Sequence, residues 1–433
     1  MKKKIVTCLP AWQVAFCLLF VVGGIVGEYF YIKHTRSVDK TYVDFVDESF
    51  SLIKANYWEK IEDKNLANLY QLALEKITGE KITEPISDTK QLNDILKSVL
   101  QDKDDAQKTE IVTQLVDMVL VNLQPFGRSR LYSQKQETDL ANLVKNVSGE
   151  DRYQQLGVDK TASPEQIKAA SDKKHNELEI AEKSATSSAE QQAIANQKAV
   201  IEQSVKILTD QDAKQLYDTS GVEPTLDYRL ISPRIFYLHL TKFSPTSLDE
   251  IQRITTKYDK GALLATLILD FSDNIGGAID GLPYFLGPFI GNDQYAYQFY
   301  HQGTKTDYKT QIGWLPSLVR YKRVVILINQ NTQSTAEVMA SVLKKYNVGL
   351  LVGKITKGWG TVEKVFPMTK QISQKETYSI FLVHSITLRE DGEPIQDRGV
   401  EPVIDVGKEG WEKEFLRYYN DNELLKAVEN IVK

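Results

Sequence analysis

Apolar residues recur at helical spacing through the first half of this chain and then give way to short, dense apolar runs. From Tyr42 to about Lys81, Phe45, Phe50, Ile53, Leu66, Leu69, Leu72 and Leu74 return at roughly helical intervals with charged residues between them, which predicts helices with one buried face. A second helical stretch runs from Asp88 to Leu123, and Gln124-Pro125-Phe126-Gly127 closes it with turn residues. Residues 151–221 predict a third helical region. Within it Ser163 stands before Pro164 and Glu165, a helix start with a capping hydroxyl, a proline at the first helical position and an acid in the first turn. The Ala/Ser/Gln/Glu-rich piece from Ala181 to Gln203 has high helix propensity and few large apolar residues, as a solvated helix pair does. From about Tyr228 the period shortens. Arg234–Leu240 reads as a strand, Ser247–Tyr258 as a capped helix, Ala262–Asp270 as a buried strand and Val324–Asn329 as another; a helix over Thr335–Tyr346 and a strand over Val348–Val352 follow. Such alternation predicts an α/β core with a mostly parallel sheet.

The N-terminus differs from both patterns. Lys2, Lys3 and Lys4 precede an uncharged run from Leu9 to Val26, extended by Tyr29-Phe30-Tyr31-Ile32. We expect a transmembrane signal anchor over 9–32, with residues 1–8 cytoplasmic and the rest outside the cytoplasm by the positive-inside rule. Gly23, Gly24 and Gly27 offer only a poor cleavage site, so retention is expected; a cleaved secretory peptide is the alternative, and the body is exported either way. A length of 433 residues implies two or three domains. The net charge of -5 argues against a nucleic-acid partner, whose phosphates would need a basic surface. Cys8 and Cys17 are the two cysteines, so the body has no disulfide framework and no cysteine metal knot. No metal or organic cofactor is expected.

Candidate chemistry gathers where strands end and helices begin. The strand ending at Asn329 leads through Gln330-Asn331-Thr332-Gln333 to Ser334, and Ala336, Val338, Met339 and Val342 open the next helix. A serine at such a turn presents its hydroxyl beside helical N–H groups that would stabilise an oxyanion. The plainer reading of Ser334-x-x-Glu337 is a capping box. Leu269 to Gly277 ends a buried strand in a paired-glycine turn, Gly276-Gly277, whose unhindered backbone would approach a ligand closely.

Taken with Asn329–Glu337, with Val352-Gly353 through Gly360-Thr361-Val362, and with Gly392 through Pro402, that turn resembles the C-terminal processing (tail-specific) peptidase family in order and spacing. Phe45–Lys76 and Leu123–Gly127 are similar to its N-terminal region. The resemblance implies a ClpP/crotonase-like core and a serine-type endopeptidase acting on polypeptides, with Ser334 as nucleophile and Gly276, Gly277 and the amide of Thr335 as oxyanion contributors. It also implies a base lysine within Gly-x-x-Thr-x-Gly-Lys-Gly-Thr-Val. Here that string is Gly353-Lys354-Ile355-Thr356-Lys357-Gly358-Trp359-Gly360-Thr361-Val362, so Trp359 stands at the base position. A serine hydroxyl needs a neighbour to take its proton. Three readings compete: His239, where related tricorn-type peptidases carry a catalytic histidine, serves as base; Lys357 or Lys354 swings in from the same loop; or the chain is a catalytically inactive scaffold that binds peptide without cutting it. A lone strand histidine is more often satisfied by a backbone carbonyl.

The family usually carries a PDZ domain between its helical region and its core. In that slot this chain has Tyr153–Val158, Ala162–Lys168, Ile207–Asp210 and Leu216-Tyr217-Asp218, which resemble a J-domain of the Hsp70 cochaperones. His175-Asn176-Glu177 takes the place of the His-Pro-Asp that the resemblance puts between two long helices, so a structural or partner-binding module is expected. The expected organisation is a helical region over 41–150, a J-like all-α module over 151–225 and a catalytic domain over 228–433.

Overall fold

The computed structural model describes residues 40–259, 261–389 and 391–432; the expected cytoplasmic tail and anchor, residues 1–32, lie outside them. Among the described residues no helix is long and apolar enough to cross a membrane. The chain divides into two compact units, one built from the N-terminal residues through Lys135 with Glu363–His384, the other from Gln136–Val362 with Ser385–Lys433. This differs from the boundaries read from sequence: the J-like stretch groups with the catalytic stretch, and 363–384 leaves it.

In the first unit α1 (40–56), α2 (Asp63–Thr78), α3 (Thr89–Leu100) and α4 (Asp105–Val121) pack their apolar stripes together. Phe45, Ile53, Leu66, Tyr70, Leu74, Leu96 and Leu115 form a fully buried core. Leu72 lies on the outer face of α2 and is exposed, as a residue two places from Tyr70 must be on a 3.6-residue helix. Asp104 and Gln107 form a capping box that starts α4 and splits the predicted second helical stretch in two. Strand β1 (Arg130–Ser133) ends the segment and leads into α5 (Gln134–Lys145).

In the second unit most of α5 is followed by four helices: α6 (Arg152–Leu156), α7 (Pro164–Ser184), α8 (Ser188–Thr209) and α9 (Gln211–Ser220). Ser163 caps α7 with a full box through Gln166, and Pro164 occupies its first position, as the sequence predicted. Tyr153, Leu156, Ile167, Ile201, Ile207 and Leu208 bury a small core of their own. The break between the two long helices is Ala185-Thr186-Ser187. His175-Asn176-Glu177 lies inside α7, so the tripeptide expected between the long helices is not there: with no proline, nothing interrupts the i to i−4 ladder at that point.

Strands β2 (Leu226–Ser232), β3 (Ile235–Leu240), β4 (Thr266–Asp270), β7 (Arg323–Ile328), β8 (Leu350–Gly353) and β11 (Ile404–Asp405) make a six-stranded sheet in the order β11-β8-β7-β4-β3-β2. All pairs are parallel except the β2–β3 edge. Alternate side chains bury on opposite faces. Phe236, Leu238, Leu240, Leu267, Leu269 and Ile326 pack on one face against α10 (Ser247–Lys257), α11 (Leu282–Ile290) and α13 (Thr335–Lys345). Ile235, Tyr237, Ile268, Val325 and Leu327 meet α14 (Trp411–Tyr418) and α15 (Asn422–Val432) on the other. Between them the chain forms a hairpin of β5 (Tyr295–His301) and β6 (Thr304–Lys309), the short α12 (Pro316–Val319), and β9 (Thr361–Pro367); Ile386–Leu388 of β10 (Tyr378–Leu388) pair with β5.

Candidate active site

The C-terminal ends of β4 and β7 are adjacent in register, so the turns that follow them share one edge of the sheet. Ser334 precedes α13 with φ 59° and ψ −127°, a conformation costing a residue with a Cβ about 1–3 kcal/mol and persisting only where its surroundings impose it. Two constraints do so. The Ser334 N–H donates to Glu337 Oε2 at 2.8 Å, and Gly276 (φ +84°) lies so close that a Cβ there would stand 2.7 Å from Ser334 Cβ. The capping box is therefore half formed. The Glu337 amide donates to the Ser334 main-chain carbonyl at 2.8 Å, and among the described residues the Ser334 hydroxyl makes no hydrogen bond.

The paired-glycine turn is organised by Asn274. Its Nδ2 donates to the Leu240 carbonyl at 2.6 Å and its Oδ1 accepts the Gly276 N–H at 2.8 Å, while its carbonyl accepts the Gln333 N–H at 3.0 Å. The Gly276 amide is thus spent inside the turn and does not point to an oxyanion as the sequence reading had it. Gly277 (φ +141°) faces the Phe243 carbonyl so closely that a Cβ would stand 2.0 Å from it. Thr335 Oγ1 donates to the Gly277 carbonyl at 2.9 Å, which brings these two residues together. Among the described residues the amides of Gly277 and Thr335 have no protein acceptor. Thr335 is the first residue of α13, where orphan donors and the dipole favour negative charge.

Glu337, read from sequence only as a capping partner, is the hub of the site. It is fully buried. Besides Ser334, its carboxylate accepts the N–H of Trp359 at 2.7 Å, the N–H of Gly358 at 2.7 Å and the hydroxyl of Thr356 at 2.5 Å. Burial pushes its carboxyl above the usual Glu range, against the pull of these donors. The 356–359 loop is held from its other side as well. Thr356 Oγ1 accepts the Val400 N–H at 2.7 Å, Gly360 packs against the backbone of Ile395 and Gln396 too closely for a Cβ, and Gly358 takes a φ of +78° beside Asp397–Gly399. The sequence signal for this clamp was the threonine of the Gly-x-x-Thr string together with the acid three residues after the serine.

The candidate bases fall out differently. His239 is on the sheet face that packs against α14 and α15, beside Tyr237, whereas α13 packs on the opposite face. Its Nε2 is 2.9 Å from the Ser272 carbonyl, to which it donates, and its Nδ1 is 3.6 Å from Asp227. The structure gives it no hydrogen bond to Ser334, and this strand histidine is satisfied by a backbone carbonyl instead. Lys354 is exposed. Lys357 is held by its main-chain N–H on the Thr332 carbonyl at 3.0 Å, two residues before Ser334, and its Nζ sits 5.2 Å from the centre of the Trp359 ring. Among the described residues no group of three or more His, Cys, Asp or Glu is placed to hold a metal ion.

Residues 234–406 match the model of Peptidase family S41. The chain is 29% identical over 189 residues to carboxy-terminal processing protease CtpA of Bacillus subtilis, covering 43% of this chain and 38% of that protein. It is 25% identical over 156 residues to the carboxyl-terminal-processing protease of Synechocystis, covering 36% and 35%. It thus spans about a third of the length of the curated relatives it matches. Among solved structures it is similar to the photosystem II D1 C-terminal processing protease at 14% identity and a TM-score of 0.46, covering 86% of this chain and 93% of that one.

Proposed function

We propose that this chain is a serine-type peptidase of the C-terminal processing kind, cutting polypeptides outside the cytoplasm while residues 9–32 anchor it in the membrane. One observation carries the reading: Ser334 is held in a strained turn, and among the described residues its hydroxyl is unbonded and the amides of Gly277 and Thr335, which Thr335 Oγ1 ties together, have no protein acceptor. A scissile carbonyl placed between them would be attacked by Ser334 Oγ, its oxyanion taken by the two N–H groups, and the chain released as an amine from a Ser334 ester that water then hydrolyses. Lys357 is the group we assign to accept the hydroxyl proton, after its four-carbon stem leaves the Trp359 ring. The match of residues 234–406 to family S41 supports this chemistry.

A second reading has its own observation. Trp359 fills the position of the family's lysine, and no basic side chain is bonded to Ser334 Oγ, as in a protein that holds peptide without cutting it. Incubating the full chain with an unstructured polypeptide, beside its Ser334→Ala, Lys357→Ala and His239→Gln variants, separates the two. The peptidase reading expects product from the wild type and from His239→Gln, and none from the other two variants. Equal product from wild type and Ser334→Ala would sink it. Binding without product in all four would establish the scaffold.

A further inference from the structure

Where the four-helix module meets the edge of the sheet, α8, α9, β2 and α10 enclose a cavity of about 400 Å³. That is the size range of small-ligand sites. Its apolar lining comes from Ile207 and Ala213 on the module side and Leu226 and Ile254 on the sheet side. Two cations, Lys206 and Arg253, also face it.

The hydrogen-bonding capacity around this cavity is lopsided. Its acids are occupied by the protein. Asp210 accepts the N–H groups of Asp212 and Ala213 and the Tyr228 hydroxyl, at 3.0, 2.9 and 2.9 Å. Glu250, 3% exposed, accepts the Thr225 and Leu226 amides at 2.8 and 3.2 Å and the Thr246 hydroxyl at 2.8 Å. Asp227 is shared between Lys206 and His239. The cations are not used up: Lys206 pairs with Asp227 and Arg253 with Asp212, both carboxylates are half-buried, and an ammonium and a guanidinium hold three and five donors. Spare donors beside an apolar chamber define a ligand with one anionic and one apolar end.

We propose that this cavity is a binding site for a small apolar carboxylate, its acid group on Lys206 and Arg253 and its hydrocarbon against Ile207, Leu226 and Ile254. The site is independent of whether Ser334 cleaves. A ligand there also touches the catalytic stretch. Drawing Lys206 toward a new anion alters the environment of Asp227, whose other oxygen faces His239, and His239 in turn holds the Ser272 carbonyl two residues before Asn274.

N-acetyl-leucine is a suitable probe, with N-acetyl-leucinamide as its uncharged counterpart. Calorimetric titration of the full chain is expected to show binding of the acid at least about tenfold tighter than the amide, and loss of that preference in Lys206→Met. Ile254→Trp, which fills the chamber, is expected to abolish binding while thermal unfolding shows the fold kept; if that variant does not fold, Ala213→Leu serves in its place. In proton NMR the His239 ring resonances are expected to move on addition of the acid and to stay fixed in Lys206→Met. Equal affinity for acid and amide, wild-type affinity in Lys206→Met, or no binding of the acid overturns the proposal.

Discussion

Two buried glutamates in this chain are built almost alike and used for different ends. Glu250 and Glu337 each sit in the first turns of a helix packed on the same face of the sheet, at 3% and 0% exposure. Each accepts four hydrogen bonds, two from amides and two from hydroxyls at Glu250 and three from amides and one from a hydroxyl at Glu337, and burial raises the carboxyl of both above the usual range. Around Glu250 every donor comes from scaffold: Thr225, Leu226 and Thr246, which fix where β2 begins. Around Glu337 the donors are Ser334 and the Thr356–Trp359 loop. A carboxylate that satisfies four donors is a general way to lock loops that no sheet can lock. Whether it is structural or catalytic depends on which residues carry the donors.

Removing each acid tests that difference. Glu337→Ala takes the acceptor from three amides, one buried and two half-buried, and from a buried hydroxyl, and we expect a loss of about 3–5 kcal/mol in urea unfolding together with loss of polypeptide cleavage per folded molecule. Glu250→Ala should cost about 2–4 kcal/mol while cleavage per folded molecule holds; equal damage to cleavage by both would erase the distinction. Gly276→Ala comes next. It places a Cβ against Ser334 at a positive φ, for about 1–3 kcal/mol, and on the peptidase reading should displace Ser334 so that cleavage falls more than stability does. The smallest effect is on pH dependence. A carboxyl whose folded value is raised contributes stability that is fully present below its unfolded value, near 4.5, and that is lost as pH rises through the folded value. Urea midpoints of the wild type should therefore fall as pH climbs above that range, and Glu250→Gln and Glu337→Gln should each flatten the slope. A wild-type midpoint that rises through this window would contradict the direction given for both groups.

Much of the core was readable from local pattern. The strands at 235–240, 266–270 and 323–328 and the helix starting at Thr335 were fixed by dense apolar runs, and the serine turn by its place between a strand and a helix. Ser163 announced α7 because a cap and a proline act within one turn of chain. The same locality explains the failures. Both faces of the sheet are apolar, so alternation along Phe236-Tyr237-Leu238-His239 could not say which face meets α13, and His239 stayed open between a role beside Ser334 and a bond to a backbone carbonyl. The use of the Gly276 amide by Asn274, and the grouping of 363–384 with the N-terminal helices, depend on contacts between residues the sequence pattern does not connect.

By itself the sequence determined that Ser334 stands at a strand-to-helix turn beside a paired glycine, and that Trp359 replaces a lysine, since both are matters of residue type and spacing. Only the tertiary structure decided which amides are left open, that Glu337 ties the serine to the 356–359 loop, and that His239 spends its Nε2 on the Ser272 carbonyl. Hydrogen bonds are directional and saturable, so the partner each donor takes is settled by the geometry of the assembled fold and not by its neighbours along the chain.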